Sequence, residues 1–248
     1  MGLRGAVPSA LVGLAGLGAV AQWLPSVVSL GQWTPLRALP GGWCRWRGPA
    51  QPKVALTFDD GPSPLTTTAV LGALAHLGLV GTFFCVGREL RRWPGVADEI
   101  VQRGHVLGTH GYHHAHHLGQ SPRWVYRDLD AALGALGDIG VRPRWFRPPY
   151  GQVSGPTMAA ARRRGLELVL WSSWGREWAA PDAKTVARRV TAALGPGSIV
   201  VLHDGSSYAP AGTVARAIDA LGPIADELDR LGLRSVSLDE LVPARGSS

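Results

Sequence analysis

The chain has 248 residues, of which 46% are hydrophobic and only 17% are charged, and it carries ten Trp and a formal net charge of +7. This composition excludes a disordered chain or a coiled coil, and the length suits one barrel-sized domain or two small ones. The charge comes almost wholly from Arg, which favours anionic partners such as cell-wall polymers or lipid headgroups. The sequence contains no Arg-rich run that would indicate nucleic-acid binding. Its two cysteines are too few for a disulfide framework.

Residues 1–30 are predicted to be a signal peptide or an N-terminal membrane anchor. Arg4 precedes an uncharged apolar stretch ending in Ala-Val-Ala at 19–21, which fits the cleavage pattern of a signal peptide. Residues 6–30 are also long enough to cross a bilayer, although two prolines and a glutamine interrupt them, and a pair of interfacial segments is the third option. Arginines after the segment outnumber those before it, which alone would keep the domain in the cytoplasm. We give the signal-like pattern more weight and place the domain outside the cytoplasm, secreted or membrane-anchored at the cell envelope.

Residues 31–52, rich in Pro, Gly and Arg, are predicted to be a linker, 53–241 the globular domain and 242–248 a tail. In the domain, short apolar runs alternate with longer segments of helical composition, as in β/α units. Strands are predicted at 54–58, 82–86, 106–109, 145–147, 166–171, 199–203 and 234–238. Helices are predicted at 66–79, 89–103, 122–139, 155–164, 183–194 and 213–231. The pattern predicts an α/β fold, a distorted (β/α) barrel of seven to eight strands, with a doubly wound open sheet as the alternative.

Two adjacent carboxylates, Asp59 and Asp60, follow the first predicted strand. Neighbouring strand side chains point to opposite faces, but the Gly-Pro turn after them can bring both into one pocket. An Asp-Asp-Gly sequence alone is more often a loop or helix cap. Position at a strand end leaves a catalytic role open, because that rim carries the active site in barrels.

Histidines are concentrated in one segment, where His110 and His114 are spaced i, i+4. Imidazoles at that spacing converge if the segment makes one helical turn, and metal sites use it. With Asp60 they would give three protein ligands and leave positions for water and substrate, as in a catalytic zinc site. A His-rich loop with incidental metal affinity is the alternative.

Two more polar residues lie at predicted strand ends. His203 follows a fully apolar run and is either a buried, satisfied histidine or a general acid. Arg147 precedes two prolines that stiffen the next turn, and without other information it is a surface arginine pairing with a carboxylate.

Taken together and in this order, the segments resemble the polysaccharide deacetylase family, also called carbohydrate esterase family 4 or the NodB-homology domain. Five motifs between residues 53 and 241 carry the resemblance. They are T-F-D-D-G-P from Thr57, G-H-x-x-G-x-H-x-x-x-H from Gly104, R-P-P-Y-G from Arg147, a Trp-rich segment from Trp171, and L-H-D from Leu202.

The resemblance implies a distorted (β/α) barrel and a hydrolase that removes N-acetyl, sometimes O-acetyl, groups from a sugar polymer. It implies a divalent metal ion, usually zinc, held by Asp60, His110 and His114. Asp59 would be the base that activates water, and Arg147 would orient it. The expected partner is an acetylated polysaccharide such as peptidoglycan or a chitin-like polymer, with no nucleic acid, membrane contact only through the N-terminal segment, and a monomeric protein.

The remaining motifs imply groups around the reacting bond. The backbone N–H of Tyr150 would stabilise the oxyanion, and His203 would protonate the leaving amine. Tyr150, Leu202 and Trp178 would contact the substrate, with Leu202 lining the acetyl pocket. Glu177 stands where the family commonly has an aspartate that pairs with the acid histidine or with Arg147.

Two departures from the family pattern keep other functions open. Glu177 is one methylene longer than the usual aspartate, and Gly111 replaces a Ser or Thr, which is expected to loosen a hydrogen bond behind the metal ligands. A catalytically impaired carbohydrate-binding homologue is therefore one alternative, since the Trp residues could stack on sugars. A metal amidohydrolase of small amides is the other.

Overall fold

The computed structural model describes residues 44–244. In this part of the chain, one sheet contains eight strands. They are Lys53–Asp59 (β1), Gly81–Cys85 (β2), Val106–Thr109 (β3), Trp145–Phe146 (β4), Glu167–Leu168 (β5), Ser173–Trp174 (β6), Ile199–His203 (β7) and Arg234–Ser235 (β8). The strands pair in the order β5-β4-β3-β2-β1-β7-β6, with β8 beside the start of β1.

All of these pairs are parallel. Both edges of the sheet come close enough for one short segment to bridge Val169, after β5, and Ser198, before β7. The sheet therefore curls into an incomplete barrel, and the predicted barrel fold is confirmed over the open-sheet alternative. The strand of Ser173–Trp174 was not predicted, because two residues are too short to show a periodic pattern. The predicted strand 234–238 is shorter, since the Ser237 hydroxyl caps a short helix that begins at Leu238.

Helices connect the strands in the described residues. They are Thr66–His76 (α1), Gly87–Arg92 (α2), Pro94–Gln102 (α3), Pro122–Gly137 (α4), Gly155–Arg163 (α5), Ala183–Thr191 (α6), Thr213–Arg230 (α7) and Leu238–Leu241 (α8). The single helix predicted at 89–103 is wrong. Pro94 lacks a backbone N–H and takes the first position of α3, so the chain breaks at Trp93 (φ −133°). None of the helices in residues 44–244 is long and apolar enough to span a bilayer.

The barrel is open between β5 and β6, and an N-terminal segment lies in this opening. The N–H of Arg45 donates to Leu168 O (2.8 Å), and Arg45 O accepts from the N–H of Leu170 (2.7 Å). Two residues later, Arg47 forms an antiparallel bridge with Ser198, just before β7. Residues 44–48 therefore close the sheet edge although they fall within the predicted linker. The predicted segment at 1–30 lies outside the described residues.

The apolar faces of the strands form the core. Residues of β1 and β7 such as Phe58, Val200 and Leu202 pack with the helices α1 and α7 in one cluster that excludes water. Burial of this apolar surface is the main force that holds the strands in register. The polar ends of the same strands then extend together past the core at one rim.

Candidate active site

The polar residues at the strand ends meet around one pocket of about 350 Å³. Its wall consists of acidic and histidine side chains together with aromatic residues. They are Asp59, Asp60, His110, His114, Tyr150, Gly151, Trp171, Trp174, Trp178, Val201, His203, Tyr208, Ala209 and Pro210. Parallel strands end at the same edge of a barrel, which explains why residues distant in sequence meet here.

Asp59 is held by a fully buried arginine. Arg147 Nη1 donates to Asp59 Oδ1 (2.7 Å) and to Thr57 Oγ1 (2.7 Å), while Nη2 donates to Leu170 O (3.1 Å). The guanidinium also lies 4.1 Å over the Phe84 ring. Burial lowers the pKa of Arg147 from its usual value, and the charge of Asp59 opposes that shift. The ion pair with Arg147 fixes the orientation of the Asp59 carboxylate.

Three further side chains converge beside Asp59 as a candidate metal centre. Asp60, His110 and His114 each offer a ligand atom, and these atoms lie within 4.8 Å of one another. Asp60 Oδ1 is 3.0 Å from His114 Nε2 and 3.6 Å from His110 Nε2. This oxygen is buried, and no donor of the described residues reaches it with hydrogen-bond geometry. A buried carboxylate oxygen facing two imidazoles fits a divalent cation.

The convergence of the two histidines has a different cause from the one predicted. Residues 110–117 form an irregular loop and not a helical turn. Left-handed backbone at Gly111 (φ 76°) and His114 (φ 51°) turns the chain so that both rings face the pocket. Asp60 likewise has φ 83°, which rotates its side chain to the same side as that of Asp59. Such conformations cost about 1–3 kcal/mol each in non-glycine residues and concentrate at functional sites.

His110 is fixed as a neutral ligand. Its Nδ1 lies 2.7 Å from Arg147 O, so this nitrogen donates and Nε2 is left with a lone pair toward the pocket. Burial, with a smaller effect from His114, lowers the pKa of His110 to about 3. The unprotonated ring is the form that binds metals.

His114 is held by ring packing. Its Nδ1 has no hydrogen-bond partner within the described chain. The ring lies between Tyr150 (centroids 4.7 Å apart) and Tyr208 (4.2 Å). Tyr208 is fixed in turn, because Arg88 Nε donates to its hydroxyl (2.6 Å) and the hydroxyl donates to Glu89 (3.1 Å). Tyr208 was not singled out from the sequence, since nothing in the loop after β7 indicates which side chain turns inward.

His203, which is partly buried, pairs with Glu177 across the pocket wall. His203 Nδ1 lies 3.2 Å from Glu177 Oε1, and Glu177 is fully buried. Burial by itself would lower the pKa of His203. The charges of Glu177 and, more weakly, Asp60 outweigh it and raise that pKa to about 10. The extra methylene of glutamate therefore still permits contact with the histidine.

Asp128 holds the backbone of the histidine loop next to Gly111. Asp128 Oδ2 accepts the N–H of Tyr112 (2.9 Å), and Oδ1 accepts the N–H of His113 (3.1 Å). A Cβ at Gly111 would lie 2.9 Å from Asp128 Oδ2. The carboxylate thus occupies the space that a Ser or Thr would need, and the expected loosening does not follow. Asp128, on α4, was not singled out from the sequence.

The prediction that Leu202 lines the acetyl pocket is wrong. Side chains alternate along a strand, so Val201 and His203 face the pocket and Leu202 faces the helix side, where it is fully buried in the core. Trp178 does line the pocket, and its ring meets that of His203 edge to face (centroids 5.2 Å apart). Tyr150 also lines it, with φ 59° and its ring stacked on His116 (3.8 Å).

The loops that follow β1 and β7 contact each other through glycines. The N–H of Gly61 donates to Asp204 Oδ1 (3.2 Å), and Thr67 donates to the other carboxylate oxygen. A Cβ at Gly61 would clash with that carboxylate, and one at Gly205 would clash with the backbone of Asp60. Burial raises the pKa of Asp204 to about 7. These contacts join the ends of β1 and β7 next to Asp60, one of the candidate metal ligands.

The chain is similar to known proteins of one family. The polysaccharide deacetylase profile matches residues 47–169. A peptidoglycan-N-acetylglucosamine deacetylase of Bacillus cereus is 31% identical over 207 residues, which is 82% of this chain and 94% of that protein. A chitooligosaccharide deacetylase of Azorhizobium caulinodans is 33% identical over 157 residues, 62% of this chain and 75% of that one. The crystal structure of the peptidoglycan N-acetylglucosamine deacetylase Bc1960 superposes with a TM-score of 0.78 at 28% identity, covering 85% of this chain and 97% of that one. The family predicted from the five motifs is confirmed, and the chain belongs to the polysaccharide deacetylase family.

Proposed function

We propose that this protein is a metal-dependent hydrolase that removes N-acetyl groups from an N-acetylglucosamine-containing polysaccharide of the cell envelope. The observation that carries the proposal is the Asp60, His110 and His114 triad beside the separately held carboxylate of Asp59. A binding module needs neither a three-ligand metal centre nor a carboxylate fixed by a buried arginine. The relatives named above act on peptidoglycan and chitooligosaccharides, which supports an amide of an amino sugar as the substrate.

Asp60, His110 and His114 would hold the ion, which we propose to be zinc because two imidazoles and one carboxylate suit it and leave coordination positions open. When bound, the ion would act as a Lewis acid toward the acetyl carbonyl. The neutral state of His110 favours binding, since no proton must be displaced from its Nε2 at neutral pH.

Asp59 is proposed as the general base. Its Oδ1 is occupied by Arg147, which leaves Oδ2, 3.9 Å from His110 Nε2, on the side of the candidate ion. This oxygen can take a proton from the water that attacks the acetyl carbon. Arg147 holds the carboxylate in position while the proton moves. The N–H of Tyr150 is proposed to donate to the oxyanion that forms at the carbonyl oxygen.

His203 is proposed as the general acid. Paired with Glu177, it is protonated at neutral pH and can donate a proton from Nε2 to the sugar nitrogen as the C–N bond breaks. The new C–O bond to water and the broken C–N bond leave acetate and a free amine. Trp178 and Val201 would contact the sugar and the methyl group, because both line the pocket beside His203.

The proposed location is outside the cytoplasm at the cell envelope, by secretion or a membrane anchor, and the proposed form is a monomer. The relatives that act on peptidoglycan support an extracytoplasmic domain. Removal of O-acetyl groups uses the same residues, so acetylated xylan belongs among the substrates to test.

The test is an acetate-release screen on chitooligosaccharides, peptidoglycan and acetylated xylan, with zinc content measured on the same samples. We expect release from the amino-sugar polymers, about one zinc per chain, and loss of release in Asp59→Asn with zinc retained. His114→Ala should lose zinc as well. Binding of the polymers with no acetate released by the zinc-loaded wild type would instead establish a carbohydrate-binding protein. Release from small amides but not from polymers would point to an amidohydrolase.

A further inference from the structure

Four non-glycine residues in the described chain have left-handed backbone, and three of them belong to the candidate active site. These three are Asp60 (φ 83°), His114 (φ 51°) and Tyr150 (φ 59°). The fourth is Arg176 (φ 51°), at the start of the turn that carries Glu177. Left-handed backbone is unfavourable for residues with a Cβ, and glycine or asparagine would adopt it at lower cost. An arginine at this position therefore raises the question of what its side chain does.

The Arg176 side chain lies along the aromatic wall of the pocket. Its guanidinium is 5.4 Å from the ring centroid of Trp174, which itself lies 5.1 Å from the ring of Trp178. Trp178 meets His203 at 5.2 Å. A row of neighbouring rings thus leads from the proposed acid to Arg176, which is exposed and lies just outside the residues that line the pocket.

The guanidinium of Arg176 is available to a ligand. Within residues 44–244 no carboxylate lies close enough to form an ion pair with it. The nearest acid in sequence, Glu177, is buried and paired with His203. The backbone of Arg176 is held by another residue, because Arg189 Nη1 donates to Arg176 O (3.1 Å). The side chain is thus not required to anchor the turn.

A planar guanidinium stacked on an aromatic ring and open at its edge matches a carboxylate, to which it can donate two parallel hydrogen bonds. We propose that Arg176 forms a subsite for a carboxylate carried by the polysaccharide substrate, beside the sugar that stacks on Trp174 and Trp178. The subsite rests on the proposed function and narrows it. It favours a polymer with acidic groups along its chain, such as peptidoglycan, over neutral chitin oligomers.

The experiment compares kcat/KM on three substrates for each protein. The substrates are soluble peptidoglycan fragments, the same fragments with their carboxyl groups converted into amides, and a neutral chitooligosaccharide. The test variant Arg176→Gln removes the charge and keeps most of the side chain. Arg92→Gln is the matched control, since Arg92 is also exposed and lies 5.0 Å over a Trp ring but has helical backbone on α2.

For the wild type we expect amidation of the fragments to lower kcat/KM about threefold to tenfold, mainly through KM. Arg176→Gln should show the same loss on unmodified fragments and no change on amidated fragments or on the neutral oligomer. Arg176→Gly should lose the preference too, while its Tm rises by about 2–4 °C because the backbone strain is relieved. Arg92→Gln should match the wild type on all substrates.

An equal loss on all three substrates would overturn the subsite, because Arg176 would then only position Glu177 or Trp174. No loss on any substrate would overturn it as well. If the wild type turns over none of them, the proposed function fails, and the subsite is judged by binding. Asp59→Asn should then bind unmodified fragments more tightly than amidated ones, and the double variant with Arg176→Gln should bind both equally. Equal binding of both by Asp59→Asn itself would refute the subsite.

Discussion

Replacing Glu177 with Gln removes one negative charge 3.2 Å from His203 Nδ1 and leaves an amide that can still accept a hydrogen bond. At an effective dielectric constant of about 20, Coulomb's law gives about 5 kcal/mol for unit charges at this distance, or nearly 4 pKa units. This value is an upper limit. Water near the variant side chain would screen part of the lost interaction, and the charges of Asp59 and Asp60 would still raise the pKa of His203. We expect the pKa of His203 to fall by about 1–2 units in Glu177→Gln.

The pKa change predicts a shift in the pH dependence of turnover. The general acid must be protonated, so activity is lost as pH rises through the pKa of His203, which is about 10 in the wild-type protein. A bound divalent ion lowers this value in both proteins and does not alter the comparison. The alkaline limb of kcat/KM should therefore move about 1–2 pH units lower in Glu177→Gln, with activity at acidic pH less affected.

The assay is acetate release between pH 5 and 11 with zinc held in excess. Glu227→Gln is the control, since Glu227 forms an exposed pair with Arg230 on α7. An alkaline limb that does not move in Glu177→Gln would refute the assignment of His203 as the acid tuned by Glu177. Direct titration of the imidazole by NMR would then show whether the pKa or the role is in error.

Further predictions concern the residues behind the metal ligands. Gly111→Ser should lower stability by about 1–2 kcal/mol, because φ is 76° and the new Cβ meets Asp128; an unchanged Tm would contradict this. Tyr208→Ala should weaken zinc binding about tenfold in a chelator competition, while Tyr208→Phe, which keeps its ring against His114, should weaken it less. Equal affinities in all three proteins would show that the ring does not position His114. His203→Ala should keep one zinc per chain and lose about 10²- to 10⁴-fold in kcat, and retained turnover would remove the acid role.

Much of the site was predictable because the functional residues of a parallel barrel lie at the strand ends. Asp59, Arg147 and His203 each follow a short apolar run, and the topology alone brings such positions to one rim. The i, i+4 spacing of His110 and His114 correctly predicted that their rings converge, but the helical turn expected to cause this does not form. Left-handed backbone, which sequence patterns do not show for histidine, produces the convergence.

The residues that were missed act through contacts between distant segments. Tyr208 reaches His114 only because the loop after β7 folds against α2, and Asp128 reaches the histidine loop from α4. Neither contact leaves a periodic signal in the sequence. Leu202 was assigned to the wrong face of β7, although the alternation of side chains along a strand predicts the right one. If His203 faces the pocket, its neighbour Leu202 must face the opposite side.

The glycine contacts between the ends of β1 and β7 have a consequence for how this protein could be altered. Gly61 lies against Asp204, and Gly205 lies against Asp60, so each loop fills space that the other would need for any larger residue. The residues of the two loops therefore constrain one another. In a library of variants that randomises one loop and keeps the other unchanged, most variants would contain steric clashes. Loops taken from relatives should be transferred as a pair. Substitutions intended to change substrate specificity are better placed at Arg176, Trp174 and Trp178, where side chains border open solvent.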